Sequence, residues 1–274
     1  MATWLITGCS TGLGRAFAEG VLDAGHDAVV TARKDSAVQD LVDAHPDTAL
    51  GLALDVTDPA QVADAVRRAE ERFGRIDVLV NNAGYGYRAA VEEGDEADVR
   101  RLFDTNLFGA IAMIKAVLPG MRARRSGTIV NISSIGARAC PAGSGYYAAT
   151  KAAMEAMTSA LRKEVQPLGI TAFAVEPGAF RTDFAGRSLT QSAEAIADYA
   201  ETAGKRRKEN DTVHGTQPGD PARAAAALVE VVASGKAPGL LVLGSDALAG
   251  FRPVMDGLRT EVDAWEHVST STDF

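Results

Sequence analysis

A chain of 274 residues that is 46% apolar and 23% charged can bury a sizeable core, which excludes a disordered chain or a fibre and suits one large domain or two small ones. A formal net charge of −8 argues against a nucleic-acid binder, because phosphate selects clustered Lys and Arg. Two cysteines, Cys9 and Cys140, are too few for a disulfide scaffold; the 27 glycines follow no collagen-like period and point to many tight turns, some of them around a phosphate ligand.

Seven short apolar runs, at 3–7, 28–32, 49–54, 76–80, 127–132, 170–175 and 240–243, predict buried strands. The first is followed by a glycine-rich turn and the helical RAFAEGVLDAG. Asp58 followed by Pro59 starts a helix that stops at Gly74, and Asp220 followed by Pro221 opens another through Val229 and Val232. This alternation predicts an α/β fold in three layers, a doubly wound parallel sheet of about seven strands with helices on both faces, in one domain spanning 1–274. Residues 183–219 break the rhythm. They are polar and alanine-rich, show no strand signal, and carry KRRK at 205–208, expected to be a solvated helix face; the whole stretch reads as a lid over a site. The opening MATWLITGCSTGLG lacks a basic n-region and a cleavage site, and no eighteen consecutive residues are apolar. A cytoplasmic protein without a membrane segment is therefore expected.

The turn after the first strand, with Gly8, Ser10, Gly12, Leu13 and Gly14, has the spacing G-x-x-x-G-x-G. Glycines there permit a tight turn and let backbone N–H groups approach a pyrophosphate at the helix N-terminus. Nineteen residues beyond Gly14, at the end of the second strand, stands Arg33, followed by Lys34. A guanidinium suits a ribose 2′-phosphate where a carboxylate would suit a 2′-hydroxyl, so NADP(H) is favoured over NAD(H). Tyr147 and Lys151 lie four apart in a predicted helix beginning near Gly145, on one face. A phenol with an ordinary pKa near 10 is a poor base, and a nearby ammonium is expected to bring it down. Tyr146 points about 140° away from Lys151 and is the weaker candidate. Ser133 and Ser134 follow the fifth strand, at the carboxyl end of the sheet where ligands bind in open α/β folds.

TGxxxGxG at 7–14, LDVTD at 54–58, NNAG at 81–84, Asn106 in DTNLFG, the serines of NISS, YAATK at 147–151 and PGAFRT at 177–182 together resemble the short-chain dehydrogenase/reductase family, in unbroken order from residue 1 to about 186. The resemblance implies a Rossmann-type fold and hydride transfer between NADP(H) and a secondary alcohol or ketone. The small-molecule substrate would be read by 183–219 and by loop residues such as Tyr85 to Ala90, whose aromatic and apolar side chains suggest a fairly hydrophobic carbonyl. The resemblance further implies that Ser134, thirteen positions before Tyr147, orients the substrate oxygen, with Ser133 structural. Tyr147 would exchange the proton, Lys151 would tune Tyr147, and Asn106 would hold a water in a relay to Lys151. Asp55 and Val56 would meet the adenine; Asn82, Ala83 and Gly84 would line its ribose and support the sheet; Tyr147 and Lys151 would reach the nicotinamide ribose; Pro177, Gly178 and Thr182 would position the carboxamide.

Two alternatives stay open, a non-catalytic NADP(H)-binding regulator and an epimerase or dehydratase of the same family, whose members generally carry a different glycine loop. One departure is the C-terminus. Many relatives finish with a short tail after the last strand, whereas here GLLVLGSDALAG runs on to Phe274, so a homodimer is expected only through the long central helices. His26, His45, His214 and His267 show no metal-ligand spacing and are expected in turns or at the surface, with neither a metal nor a Ser-His-Asp triad. Cys140 lies between Ser134 and Tyr147 and is expected to be a small buried residue.

Overall fold

The computed structural model describes residues 1–186, 188–213 and 215–274, with the side chains at 185 and 209–213 also outside the description. The expected turn or surface role of His214 falls outside the described residues. The strands are β1 (Thr3–Ile6), β2 (Asp27–Ala32), β3 (Ala49–Ala53), β4 (Val78–Asn81), β5 (Gly86–Arg88), β6 (Gly127–Ile132), β7 (Ile170–Pro177), β8 (Leu189–Gln191) and β9 (Leu240–Leu243). The helices are α1 (Gly12–Asp23), α2 (Gln39–Ala44), α3 (Pro59–Phe73), α4 (Glu96–Phe103), α5 (Ala110–Arg124), α6 (Gly136–Ala139), α7 (Gly145–Val165), α8 (Ala203–Val213), α9 (Pro221–Ala233), α10 (Ser245–Ala264) and α11 (Glu266–Thr270).

Seven strands pair in parallel in the order β3-β2-β1-β4-β6-β7-β9. Successive residues of a strand enter opposite faces, which is why the runs are apolar throughout rather than alternating. Trp4 and Ile6 pack with Phe17 and Val21 of α1 and Leu228 of α9. Leu5 and Leu79 pack with Val62 and Val66 of α3, Met113 and Val117 of α5 and Leu161 of α7 on the other face. These are the three layers of a doubly wound sheet. The chain begins at β1, winds outward to β3 and then crosses to β4, so the direction of winding reverses between β1 and β4. A crevice opens there beyond the carboxyl ends of the strands.

Local signals account for the helix boundaries. The Asp58 carboxylate accepts from the N–H groups of Ala60 and Gln61 at the start of α3, and Gly74 ends it in the left-handed region at φ 82°. Asp220 caps α9 in the same way. Residues 104–109 are wound as a π-helix that joins α4 to α5. The resulting rod, Glu96–Arg124, is apolar and long enough to match a membrane span, with a mean hydropathy of 1.3 in its most apolar window. Its Met113, Val117 and Met121 are buried against the sheet, which accounts for that hydropathy.

Two expectations for 183–219 are corrected. The stretch contains a strand, β8, which pairs in parallel with β5; Gly86 N donates to Ser188 O at 2.8 Å and Ser192 N to Arg88 O at 2.9 Å. A three-residue strand of Leu, Thr and Gln is too short to show a period. The basic run is also not wholly a solvated face. Arg207 reaches inward, 2.6 Å from the carboxylate of the buried Glu93, and also donates to the carbonyls of Ser192 and Glu194. Burial pushes Glu93 up, but the N–H groups of Ala90 and Ile196 and the Arg207 charge outweigh it and hold the carboxyl below its ordinary range. Arg207→Ala would strand that charge, at a cost of about 3 kcal/mol. Urea unfolding at neutral pH should show this loss, and it should shrink as pH falls and Glu93 becomes protonated, since a depressed carboxyl stabilises the fold only above its folded pKa.

The chain beyond β9 forms α10 and α11. Leu248, Met255, Leu258, Val262 and Trp265 along this segment are exposed.

Candidate active site

The glycine loop is shaped by Asn82. Its Nδ2 donates to Thr7 O at 2.9 Å and Gly8 O at 3.1 Å, while Thr7 Oγ1 accepts from the N–H groups of Asn82 and Ala83 at 3.0 and 2.9 Å. The end of β1 is thereby sewn to the end of β4. A Cβ on Gly8, at φ 74°, would stand 2.9 Å from Ala83 Cα, and one on Gly14 would overlap Asn82 Nδ2 and Gly8 O. The two backbones approach so closely that no side chain fits between them. Gly12, also in the left-handed region at φ 68°, opens α1, and the segment after β7 folds back until Thr182 Cβ is 3.9 Å from where a Gly12 Cβ would be. Ser10 is exposed and Leu13 half-buried on this turn. The result is a bed of backbone at a helix N-terminus, whose polarity fits a pyrophosphate.

Arg33 and Lys34 are exposed immediately after β2. Among the described residues neither side chain has a hydrogen-bond or ion-pair partner. A third cation, Arg15, was not singled out by the spacing; at the start of α1 it pairs with Asp40 and, at 2.7 Å, with Glu19. Asp55 turns the chain after β3, its carboxylate accepting from Thr57 N and Oγ1, and Val56 packs against Gly109 in the core. Pro177 O accepts from Ile135 N at 3.1 Å, and Gly178 N donates to Leu243 O at 2.8 Å, so the turn after β7 is bound to both neighbouring strands.

Beyond the ends of β6 and β7 the structure brings Ser134, Tyr147, Lys151 and Asn106 together. Tyr147 and Lys151 share a face of α7, with Lys151 Nζ 5.9 Å from the centre of the Tyr147 ring. Tyr146 faces away; its hydroxyl donates to Val91 O at 2.6 Å. Ser134 Oγ accepts from Gly136 N at 3.0 Å and is hydrogen-bonded to Tyr147. Lys151 Nζ donates to Ile132 O at 2.8 Å. Asn106 is buried in the π-helix; its Nδ2 donates to Tyr85 O at 2.9 Å and its Oδ1 accepts from Tyr85 N at 3.0 Å. Gly84 leaves the space between Asn106 and Lys151: a Cβ there would be 3.0 Å from Asn106 Oδ1 and 3.5 Å from Lys151 Nζ. The missing side chain at Gly84 lets Asn106 and Lys151 stand close on either side of it.

The expected lowering of the phenol does not hold in this geometry. Burial pushes Tyr147 above its ordinary pKa, with the Ser134 hydrogen bond and the Arg88 charge acting in the opposite direction. Burial also pushes the Lys151 ammonium down to about 8, with the Glu155 charge opposing. At Tyr147 desolvation outweighs the Ser134 hydrogen bond and the Arg88 charge. Cys140 is likewise corrected. It is exposed, and it ends α6 in the left-handed region at φ 41°, where the turn holds it away from the core.

Three features were not visible in the motifs. Arg88 on β5 is buried and contacts Ser144 Oγ, with its charge felt at Tyr147. Phe184, carried by the stretch after β7, sets its ring 6.1 Å from that of Tyr147 and forms an apolar wall beside it. Glu155 and Glu176 are buried beneath Ser133. The first two were concealed because β5 and the stretch after β7 meet only through tertiary pairing.

Residues 2–193 match the short chain dehydrogenase family profile. An oxidoreductase of Botryotinia fuckeliana is 36% identical over 270 residues, covering 98% of this chain and 98% of that protein. A short-chain dehydrogenase from Streptomyces avermitilis superposes with a TM-score of 0.93 at 44% identity, covering all of both chains. A 3-ketoacyl-(acyl-carrier-protein) reductase from Brucella melitensis in complex with NADH matches at 25% identity and a TM-score of 0.75, covering 90% of this chain and 98% of that one. A gluconate 5-dehydrogenase from Burkholderia cenocepacia with NADP and tartrate matches at 29% identity and a TM-score of 0.75, covering 90% and 95%. The chain belongs to the short-chain dehydrogenase family of oxidoreductases, with its Rossmann-type fold.

Proposed function

We propose that this protein is an NADP(H)-dependent reductase of a fairly hydrophobic ketone, interconverting it with the secondary alcohol. The observation that carries the reading is the convergence of Ser134 and Tyr147 under the Phe184 ring, beside a glycine bed that only backbone can line. The bed and the two cations after β2 fit a dinucleotide with a 2′-phosphate, and relatives of this fold carry NADH or NADP. When bound, the nicotinamide supplies the hydride. Gly8, Gly12 and Gly14 would hold the pyrophosphate, Arg33 and Lys34 the 2′-phosphate, and Asp55, Val56, Asn82, Ala83, Gly84, Pro177, Gly178 and Thr182 the remaining edges.

Ser134 Oγ orients the substrate oxygen, and Tyr147, kept protonated by burial, donates a proton to it. Lys151 and Asn106, which face each other across Gly84, would resupply that proton by way of a water. The wall formed by Phe184 favours an apolar substituent on the carbonyl carbon. Purified protein mixed with NADPH and a panel of ketones should oxidise the cofactor with at least one apolar ketone. Tight NADPH binding with no turnover across the panel would favour a regulator instead.

Arg33→Asp checks the nucleotide. Losing a charge-assisted contact worth about 1.5–3 kcal/mol should shift the preference from NADPH toward NADH by about tenfold or more in kcat/KM. Equal preference in both proteins would remove the role given to Arg33.

A further inference from the structure

A charged cluster lies directly beneath the catalytic serine. Ser133 Oγ donates to Glu155 and, at 3.4 Å, to Lys151 O. Arg138, on α6 just after Ser134, places Nη2 2.5 Å from Glu155 Oε2 and donates from Nε to Glu176 Oε1 at 2.9 Å. Glu176, wholly buried, immediately precedes the Pro177-Gly178 turn. Its second oxygen, Oε2, has no hydrogen-bond partner among the described residues, and the Glu155 carboxyl lies within hydrogen-bonding range of Glu176. Two carboxyl groups brought together in a buried site with one guanidinium between them disfavour the state in which both are charged. Burial first, and then contact with Glu155, push Glu176 well above the ordinary carboxyl range; Arg138 opposes this.

The cluster ties together the pieces that present the catalytic groups. Ser133 precedes Ser134, and its N–H donates to Val175 O on β7. Glu155 is one helical turn beyond Lys151 on α7, and its charge raises the Lys151 ammonium against burial. The charged groups facing the pair are Arg138 from α6 and Lys151 from α7; Asp246 from α10 stands on the other side of the turn, against Gly178 and Ala179 N.

We propose that the Glu155–Glu176 pair, joined by one shared proton and bridged by Arg138, is a positioning device that sets Ser134 against Tyr147 and couples the charge of Lys151 to the protonation of the cluster. Losing the proton puts two carboxylates in contact; their repulsion opens the bridge and moves Ser134, while the added charge holds Lys151 more firmly as the ammonium. The sign for stability is opposite to that of a paired surface carboxylate. The native state keeps a proton that the unfolded chain releases near the ordinary value of about 4.3, so stability falls as pH rises above that value.

This inference rests on the reductase reading, and the test separates the two. In wild type, kcat for ketone reduction should show an inflection between about pH 5 and about pH 9 that disappears in Glu176→Gln, whose amide fills the same contacts without ionising. Glu176→Ala and Glu155→Ala should lower kcat by about tenfold to a hundredfold through misplacement of Ser134, with the KM for NADPH within about twofold, and Glu176→Gln should restore most of the loss. A second measurement needs no turnover: the 13Cζ signal of Tyr147 in tyrosine-labelled protein should report the same titration in wild type and not in Glu176→Gln. A pH profile and a Tyr147 titration identical in wild type and Glu176→Gln would overturn the proposal. Absent turnover together with an altered Tyr147 titration would overturn the reductase reading and leave the positioning device standing.

Discussion

Tyr147→Phe is expected to lower kcat for ketone reduction by about 10²–10⁴-fold, the contribution of a positioned general acid. The substitution removes the hydroxyl and leaves the ring, so the packing against Phe184 at 6.1 Å and the shape of α7 survive. The NADPH dissociation constant should stay within about tenfold, because the glycine bed proposed for the dinucleotide is formed by other residues. The phenol suits this role because of its surroundings. Burial raises its pKa, which keeps the proton on the oxygen through the neutral range, and Ser134 and Arg88 limit how far the rise goes. Stopped-flow or steady-state loss of NADPH absorbance checks the prediction, with thermal melting as the control for folding. Wild-type turnover in Tyr147→Phe would remove Tyr147 from the chemistry.

Gly14→Ala should damage cofactor binding more than any other single methyl addition in the loop. The new Cβ would overlap both Gly8 O and Asn82 Nδ2, and neither can retreat freely, since Nδ2 is already bonded to Thr7 O and Gly8 O. Relief requires moving the loop away from β4, which costs about 1–3 kcal/mol in overpacking and would misalign the N–H groups proposed to meet the pyrophosphate. The expected result is an NADPH dissociation constant raised by about tenfold or more, measured by isothermal titration, together with a lower melting temperature. Gly25→Ala provides the contrast. Its φ is 78° but nothing lies within 4 Å, so it should lose about 1 kcal/mol of stability and no cofactor affinity. Equal effects on binding from the two substitutions would remove the role given to the close approach at Gly14.

Much of the architecture was legible in advance. All seven apolar runs form strands of the parallel sheet, because a strand covered on both faces is apolar at every position and needs no neighbour to declare itself. Tyr147 could be chosen over Tyr146 from helical angles alone, and the structure turns Tyr146 toward Val91 O. Where short-range pattern failed, the deciding partner was distant. Arg207 reads as one more cation in a basic run until Glu93, far earlier in the chain, is placed opposite it. The strand at Leu189–Gln191 exists through its pairing with Gly86–Arg88.

Spacing also could not weigh opposing forces. A separation of four positions between Tyr147 and Lys151 says that a cation is near, but whether the phenol rises or falls depends on how much water the fold removes, and the fold removes enough to raise it. The pair Glu155 and Glu176 belongs to the same category, two carboxyls on different elements with no motif to join them. The sequence by itself determined the sheet, the glycine turn and the identities of the groups at the site, since each depends on local pattern and fixed spacing. Tertiary structure alone decided how those groups are charged and held, because desolvation and long-range ion pairs arise only once distant segments have met.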